Sequence, residues 1–159
     1  MSRRSDMHGF TLIELMITLA LLTIVVGIAV PNFTAFIKKT QLQGQADDLV
    51  ATLQYARGEA VTRRTTAEVI VSDNDAWVVQ VNGQPVRDLN HNTSLAKMDA
   101  DVASITYRPN GTATPALITI CRDDEFEKGY VVAIRASGAP TIHPRGKNAD
   151  GSPLTGCTR

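Results

Sequence analysis

Residues 8–31 read HGFTLIELMITLALLTIVVGIAVP, an apolar run that contains a single carboxylate, Glu14. Residues 10–30 carry no other charge. As a helix rising roughly 1.5 Å per residue they would extend about 31 Å, which matches the hydrocarbon thickness of a bilayer. The run therefore predicts a membrane-spanning helix. Pro31 at its end cannot donate a backbone hydrogen bond and predicts a kink or a local break.

The residues on either side of this segment give opposing signals for its orientation. Arg3 and Arg4 precede it, and basic residues tend to stay on the cytoplasmic side, so we expect the N-terminus inside and the bulk of the chain outside. Lys38 and Lys39 follow the segment and favour the reverse. The charge rule alone does not decide the topology.

A cleavable secretory signal is the alternative for this segment, and Gly27-Ile28-Ala29 supplies a small-x-small cleavage site. However, the apolar run exceeds the roughly 7–15 residues of such signals, and a carboxylate costs about 2.5–3.5 kcal/mol at a helix centre. A retained segment has a use for that charge. If the chain were cut between Gly9 and Phe10, the new α-amino group would be a cation that Glu14 could neutralise, in the same chain or a neighbouring copy.

The order GFTLIE at residues 9–14, followed by an apolar helix and Pro31, resembles the N-terminal signal of type IV pilins and type II secretion pseudopilins. The resemblance implies cleavage after Gly9 by prepilin peptidase and N-methylation of Phe10. It also implies that Glu14 registers each subunit against the preceding one. The partners would be other pilins or pseudopilins, reached through the N-terminal helix, and inner-membrane lipid.

The same resemblance divides the chain into a leader, residues 1–9, and a transmembrane or filament-core helix, residues 10–30. Helix-compatible sequence resumes after Pro31, so residues 31–64 predict an amphipathic second half of one long, bent stem. At 100° per residue, six apolar residues fall within an arc of about 80° that should face the core: Leu42, Ala46, Leu49, Leu53, Ala56 and Ala60. The other side carries Asp48, Thr52, Glu59 and Arg63.

Three apolar residues, Phe33, Phe36 and Ile37, point roughly away from that stripe. We expect them to meet other subunits or lipid, the alternative being that they simply rest at the membrane interface.

After Arg64 the sequence alternates with a period of two and is rich in β-branched residues, which predicts strands. The predicted strands are Ala67–Ser72, Ala76–Val81, Ala103–Tyr107, Leu117–Cys121 and Tyr130–Ala136. Asn82-Gly83 predicts a tight hairpin, residues 87–101 a polar loop, and Trp77 a core position. A long N-terminal helix packed on small antiparallel sheets is an α+β fold, with residues 65–159 as a β-rich head.

Two further motifs are similar to those of the GspH/FimT family of minor pilins and pseudopilins: LQYARGEAVTR at residues 53–63 and YRPNGT at residues 107–112. The similarity implies the pilin fold, a long helix carrying two small β-sheets. It also implies a low-copy subunit of the tip complex that starts filament assembly. The expected function is that of a minor pilin of a type IV pilus, with a type II secretion pseudopilin as the alternative.

Cys121 and Cys157 form no C-x-x-C motif, so neither a zinc ribbon nor a thioredoxin-type pair is indicated. Outside the cytoplasm they could form one disulfide. Closing that loop of roughly 37 residues would stabilise the fold by about 4 kcal/mol. Two separate buried thiols are the alternative.

Nothing in the sequence points to catalysis, a metal or a cofactor. His91 and His143 have no partner nearby in sequence, and the acidic run at residues 123–127 lacks the spacing of a calcium loop, so a solvated loop is expected there. Sixteen basic and sixteen acidic residues cancel, so the overall charge does not indicate a nucleic-acid coat protein or a polyacidic substrate. The chain is expected to be structural.

DNA uptake is a second alternative, because the C-terminal part is locally basic. The candidate patch consists of Arg135, Arg145, Lys147 and Arg159. Some GspH/FimT members use a G-R-x-R stretch for this purpose. The comparable place here reads Gly138-Ala139-Pro140-Thr141 and lacks both arginines.

Overall fold

The computed structural model describes residues 10–71, 76–90 and 92–158. Within these ranges the elements follow in the order α1 (Leu12–Thr62), β1 (Ala67–Ile70), β2 (Ala76–Val81), β3 (Gln84–Asn90), β4 (Lys97–Ala100), β5 (Ser104–Tyr107), β6 (Ala116–Cys121), a 3-10 turn (Phe126–Lys128), β7 (Tyr130–Ile134) and β8 (Pro140–Ile142). One long helix followed by antiparallel strands confirms the predicted α+β class.

The described chain forms two compact units that meet in sequence at Lys38 and Lys39. The described residues of the first unit, 10–38, contain the first part of α1, which we call the apolar part of α1. The helix continues through Pro31 without a break, although proline supplies no N–H to the helical ladder. Near it, Asn32 Nδ2 donates to the carbonyl of Ile28 (3.1 Å) and Thr34 Oγ1 donates to the carbonyl of Pro31 (2.9 Å).

The second unit, the head, contains the last turns of α1 packed against the strands. All six residues of the predicted stripe are buried in the main core. Thr52, expected on the opposite side, is fully buried as well. The buried arc is therefore about 120° wide rather than about 80°. A wider buried face follows because the helix shares its core with two sheets rather than one.

Two four-stranded sheets have the orders β3-β2-β1-β5 and β4-β6-β7-β8, and every pairing is antiparallel. The Asn-Gly hairpin is confirmed: Asn82 (φ 52°) and Gly83 (φ 74°) connect β2 to β3 in the left-handed conformation that a type I′ turn requires. Trp77 on β2 is buried, as predicted. Residues 72–75, between β1 and β2, have the turn-prone sequence Ser-Asp-Asn-Asp and lie outside the described residues.

The prediction of a loop over residues 87–101 is wrong, because β3 and β4 occupy most of it. A register shift between Val79 and Gln80 interrupts the pairing of β2 with β3, which hides the period-two pattern of β3. The second missed strand is only four residues long, contains two charged residues, and lies at the edge of its sheet. A further short strand, β8, was not anticipated, and β7 ends at Ile134 rather than Ala136.

The strand edges are covered or interrupted. The outer edge of β5 carries the segment that follows it: Tyr107 bridges to Ala113, and the Thr114 N–H donates to the carbonyl of Thr106 (3.0 Å). Pro85 lies in edge strand β3, and Pro140 begins edge strand β8.

A C-terminal strap, residues 143–158, covers the face of the second sheet that points away from the main core. Cys121 and Cys157 are joined by a disulfide, with their Cα atoms 5.8 Å apart. Beside this bond, Val131 of β7 and Leu154 of the strap are buried in a second, smaller hydrophobic cluster. The disulfide thus fastens the end of the chain to the end of β6.

Candidate assembly interface

The apolar part of α1 buries none of its large side chains within the chain. Every large hydrophobic residue from Phe10 to Val30 is at least 48% exposed. An 18-residue window of this helix has a mean hydropathy of 2.6, and none of it is buried. So much exposed apolar surface is unfavourable in water, and lipid or other subunits must cover it.

Polar groups in this segment, with one exception, are satisfied by the helix itself. Thr18 Oγ1 donates to the carbonyl of Leu15 (2.8 Å), and Thr23 Oγ1 donates to the carbonyl of Ala20 (2.8 Å). Such bonds allow hydroxyls to enter a bilayer. The exception is the carboxylate of Glu14, for which the described part of the chain provides no hydrogen-bond or ion-pair partner. A partner for Glu14 must come from elsewhere.

The start of α1 shows a second role for this region that the sequence reasoning missed. Thr11 immediately precedes the helix, and its Oγ1 accepts a hydrogen bond from the N–H of Glu14 (3.3 Å). Thr11-Leu12-Ile13-Glu14 matches the S/T-x-x-E capping box, a signal that could have been found. A glutamate in the first turn also complements the positive end of the helix dipole. Gly9, on the other side of the predicted cleavage, lies outside the described residues.

In the head, Arg57 joins α1 to two turns. Its Nε donates to the carbonyl of Gly111 (3.0 Å), and its Nη2 donates to the carbonyl of Ser137 (3.0 Å). The two motifs that carry the family resemblance in the head, at residues 53–63 and 107–112, therefore meet at this side chain. The sequence did not reveal these contacts, because the partners are 54 and 80 positions apart.

The turns are packed so closely here that only glycine fits at position 138. Gly138 has φ +81°, and a Cβ added to it would lie 2.0 Å from the carbonyl oxygen of Gly111. Tyr107, fully buried, has a hydroxyl with no hydrogen-bond partner among the described residues. Burial raises the pKa of Tyr107 to about 12, while the nearby Arg57 charge acts in the opposite direction.

The predicted basic patch is divided by the length of β7. Arg145 Nε donates to the carbonyl of Lys128 (2.9 Å), just before β7 begins, whereas Arg135 follows its last residue. Five residues of strand separate these positions by about 17 Å. Lys147 lies near Arg145 in the exposed strap, and Arg159 lies outside the described residues.

The other polar candidates form no visible site. Within residues 10–71, 76–90 and 92–158, no group of three or more His, Cys, Asp or Glu is placed to hold a metal. His91 lies outside these ranges. The acidic run at residues 123–127 is mostly exposed, and Glu125 pairs with Lys128 at 3.0 Å.

Comparison with protein families decides the relationship. The model of the family described as "Type II transport protein GspH" matches residues 45–138, which include the last turns of α1, the Arg57 contacts and every strand except β8. The chain belongs to the GspH family. A second model, the prokaryotic N-terminal methylation motif, matches residues 4–30 and confirms the resemblance seen around Phe10 and Glu14. A GspH protein with this motif is a minor pilin or pseudopilin of the type IV pilin class.

Solved structures share the fold of this GspH protein. The minor pilin FimU of Pseudomonas aeruginosa has 23% sequence identity and a TM-score of 0.63, covering 77% of this chain and 98% of the FimU chain. A second crystal form of FimU has 25% sequence identity and a TM-score of 0.58, and the match covers 72% of this chain and 98% of the FimU chain. The pseudopilin EpsH of Vibrio cholerae has 12% sequence identity and a TM-score of 0.55, and the match covers 65% of this chain and 96% of the EpsH chain. The search of curated proteins found no match.

Proposed function

We propose that this chain is a minor pilin that helps to start assembly at the tip of a type IV pilus. The observation that carries the proposal is the Glu14 carboxylate, which has no partner among the described residues and lies at the start of a fully exposed apolar helix. A structural, non-enzymatic role agrees with the GspH family. It also agrees with the contacts of Arg57, which hold α1 to two turns of the head.

Processing would supply the missing partner. Cleavage between Gly9 and Phe10 by prepilin peptidase creates an α-amino group, and N-methylation of Phe10 leaves it a cation. An ion pair at 4 Å gains about 4 kcal/mol at an effective dielectric constant of 20. That gain offsets the about 2.5–3.5 kcal/mol that a carboxylate costs inside a membrane. The pair would set the register between the Glu14 of one subunit and the Phe10 of its neighbour.

The proposed location follows from the same helix. Residues 10–30 would anchor the chain in the inner membrane as a single span, before it is extracted into the filament. The head would lie in the periplasm, an oxidising compartment in which the Cys121–Cys157 disulfide persists. During assembly, neighbouring helices would replace lipid as the cover of this apolar surface.

The second candidate function is that of a minor pseudopilin in type II secretion. The matching family, described as a type II transport protein, favours it. Both functions use the same membrane anchor and the same charge pairing. Deleting the gene in the producing bacterium and assaying twitching motility and exoprotein secretion side by side would separate them. Loss of motility with normal secretion is expected, and the reverse result would refute the pilus assignment.

The assembly mechanism is tested by three variants of the full chain. Gly9→Leu should block processing, since the peptidase site no longer has its small residue. Glu14→Ala should leave processing intact and lower incorporation into filaments at least tenfold. Glu127→Ala, the same substitution at an exposed carboxylate of the head, is the matched control and should assemble normally. Wild-type filament yield from Glu14→Ala would contradict the proposal.

A further inference from the structure

A groove beside Arg57 is a feature of the head that the pairing of Glu14 does not use. It has a volume of about 470 Å³ and lies between the last turns of α1 and the two turns that Arg57 joins. Gly58 and Val61 form its helical wall, and Ala139 and Pro140 lie opposite. We call this the Arg57 groove. All of its lining belongs to the head.

The apolar character of the groove stands out on the surface of the head. Val61 is 47% exposed, and it is the only large hydrophobic side chain that is exposed among the described residues after Lys39. Together with Gly58, Ala139 and Pro140, this valine makes the groove a concave and mostly apolar site, the kind of surface at which binding occurs.

Arg57 gives the groove its charge. Two of its nitrogens, Nε and Nη2, are held by backbone carbonyls, which fix the plane of the guanidinium. No described residue accepts a hydrogen bond from Nη1, and no described carboxylate forms an ion pair with Arg57. A guanidinium held in this way offers its remaining donors to a carboxylate at little entropic cost.

The surroundings extend this positive charge. Arg63, Arg64 and Arg108 lie in the adjoining turns, and among them Glu59 is engaged with Arg63 at 2.6 Å. Arg64 and Arg108 are exposed. The end of α1 that carries the groove is therefore positive, while the groove itself is mostly apolar.

We propose that the Arg57 groove binds an acidic segment of a neighbouring, different pilin-like subunit, with a carboxylate on Arg57 and apolar atoms against Val61 and Pro140. The proposal rests on the proposed function as a filament subunit and names a head-to-head contact in addition to the helix contact. Complementary charge and a concave apolar wall favour a protein segment. Single-stranded nucleic acid is bound by aromatic side chains on which its bases stack, whereas the residues that line this groove include no aromatic side chain.

A second copy of this chain is a poorer occupant, because two of the four carboxylates in its acidic run are already paired. Glu125 pairs with Lys128 at 3.0 Å, and the guanidinium of Arg122 lies 3.8 Å from the carboxylate of Asp123. Moving these carboxylates onto Arg57 would break existing pairs for little net gain. The partner segment should therefore carry carboxylates that its own subunit leaves unpaired.

Site-specific photo-crosslinking tests the proposal in the producing bacterium with the full chain. Benzoylphenylalanine replaces Val61 in the groove, or Thr155 in the exposed strap as the control position. We expect an adduct from position 61, but not from position 155, with another pilin-like subunit. Mass spectrometry should map the adduct to a segment with Asp or Glu within about four residues, the reach of one helical turn.

Charge reversal on the rim then tests the electrostatic part without disturbing the Arg57 hydrogen bonds. Arg108→Glu should lower the adduct yield about tenfold, whereas Lys147→Glu, an equal charge change in the strap, should leave it unchanged. An adduct with nucleic acid or with a second copy would overturn the inference, and so would equal yields from the two charge variants.

Filament assembly is measured in the same cells, so that failure of the groove inference can be distinguished from failure of the proposed function. Assembled filaments that still depend on Glu14 but give no adduct from position 61 would overturn the groove inference and leave the proposed function standing. Failure of the chain to enter any filament, with Glu14 intact, would overturn both.

Discussion

Replacing Gly138 by alanine should destabilise the head far more than the same substitution at another left-handed glycine. The matched control is Gly151→Ala: Gly151 has φ +87°, but an added Cβ would meet nothing within 4 Å. Both variants incur the strain of a left-handed alanine, about 1–2 kcal/mol. At Gly138 the added Cβ would also overlap the carbonyl oxygen of Gly111, at 2.0 Å, so the backbone must move by about 1 Å or more to reach ordinary contact.

That movement would separate Gly111 or Ser137 from Arg57. A hydrogen bond to a charged group contributes about 1.5–3 kcal/mol, so losing one bond brings the total for Gly138→Ala to about 3–5 kcal/mol. Urea unfolding of the full chain in detergent micelles measures the difference. The single tryptophan, Trp77, is buried in the head and reports its unfolding by fluorescence. Equal unfolding free energies for the two variants would refute the packing argument.

Three further predictions concern the disulfide, Tyr107 and DNA. Replacing Cys121 and Cys157 together by serine should lower the free energy of unfolding by about 4 kcal/mol, the loop entropy expected for a separation of 36 residues, in the same urea assay; a change below about 1 kcal/mol would contradict it. Because burial raises the pKa of Tyr107 to about 12, the folded state holds its proton after the unfolded chain loses it at about pH 10. Stability should therefore be full below pH 10 and fall by about 2–3 kcal/mol towards pH 12. Tyr107→Phe should lack this loss and be no less stable at pH 7, since the buried hydroxyl has no partner; an unchanged slope between pH 10 and 12 would count against the assignment. Finally, the divided basic patch should give no salt-sensitive shift of double-stranded DNA in gel electrophoresis at micromolar protein, and a clear shift would revive the DNA-uptake alternative.

The parts of the fold that could be predicted from the sequence are those with local signals. The apolar length of residues 10–30, the stripe from Leu42 to Ala60 and the Asn82-Gly83 hairpin each follow from neighbouring residues. Strand β4 could not be recognised, because four residues with a lysine and an aspartate are too few to distinguish an alternating strand from a loop. The burial of Thr52 depends on how two sheets share one helix, which no local pattern records.

The candidate site divides in the same way. Glu14 could be singled out because a charge in an apolar run is conspicuous by itself. Thr11 capping was available from the sequence and was overlooked. The Arg57 contacts could not be foreseen, because they join positions 54 and 80 residues apart and depend on the approach of Gly138 to Gly111.

The protected strand edges affect how such heads can meet. Pro85 and the register shift interrupt the edge at β3, and Pro140 begins the edge strand β8. Lys97 and Asp99 place charges on the edge at β4, and the chain after Tyr107 lies along the edge at β5. Main-chain hydrogen bonding between heads would therefore be poor, which guards against irreversible aggregation at high local concentration. Contacts made by side chains alone can be separated without unfolding either domain, so subunits built in this way can be taken apart again.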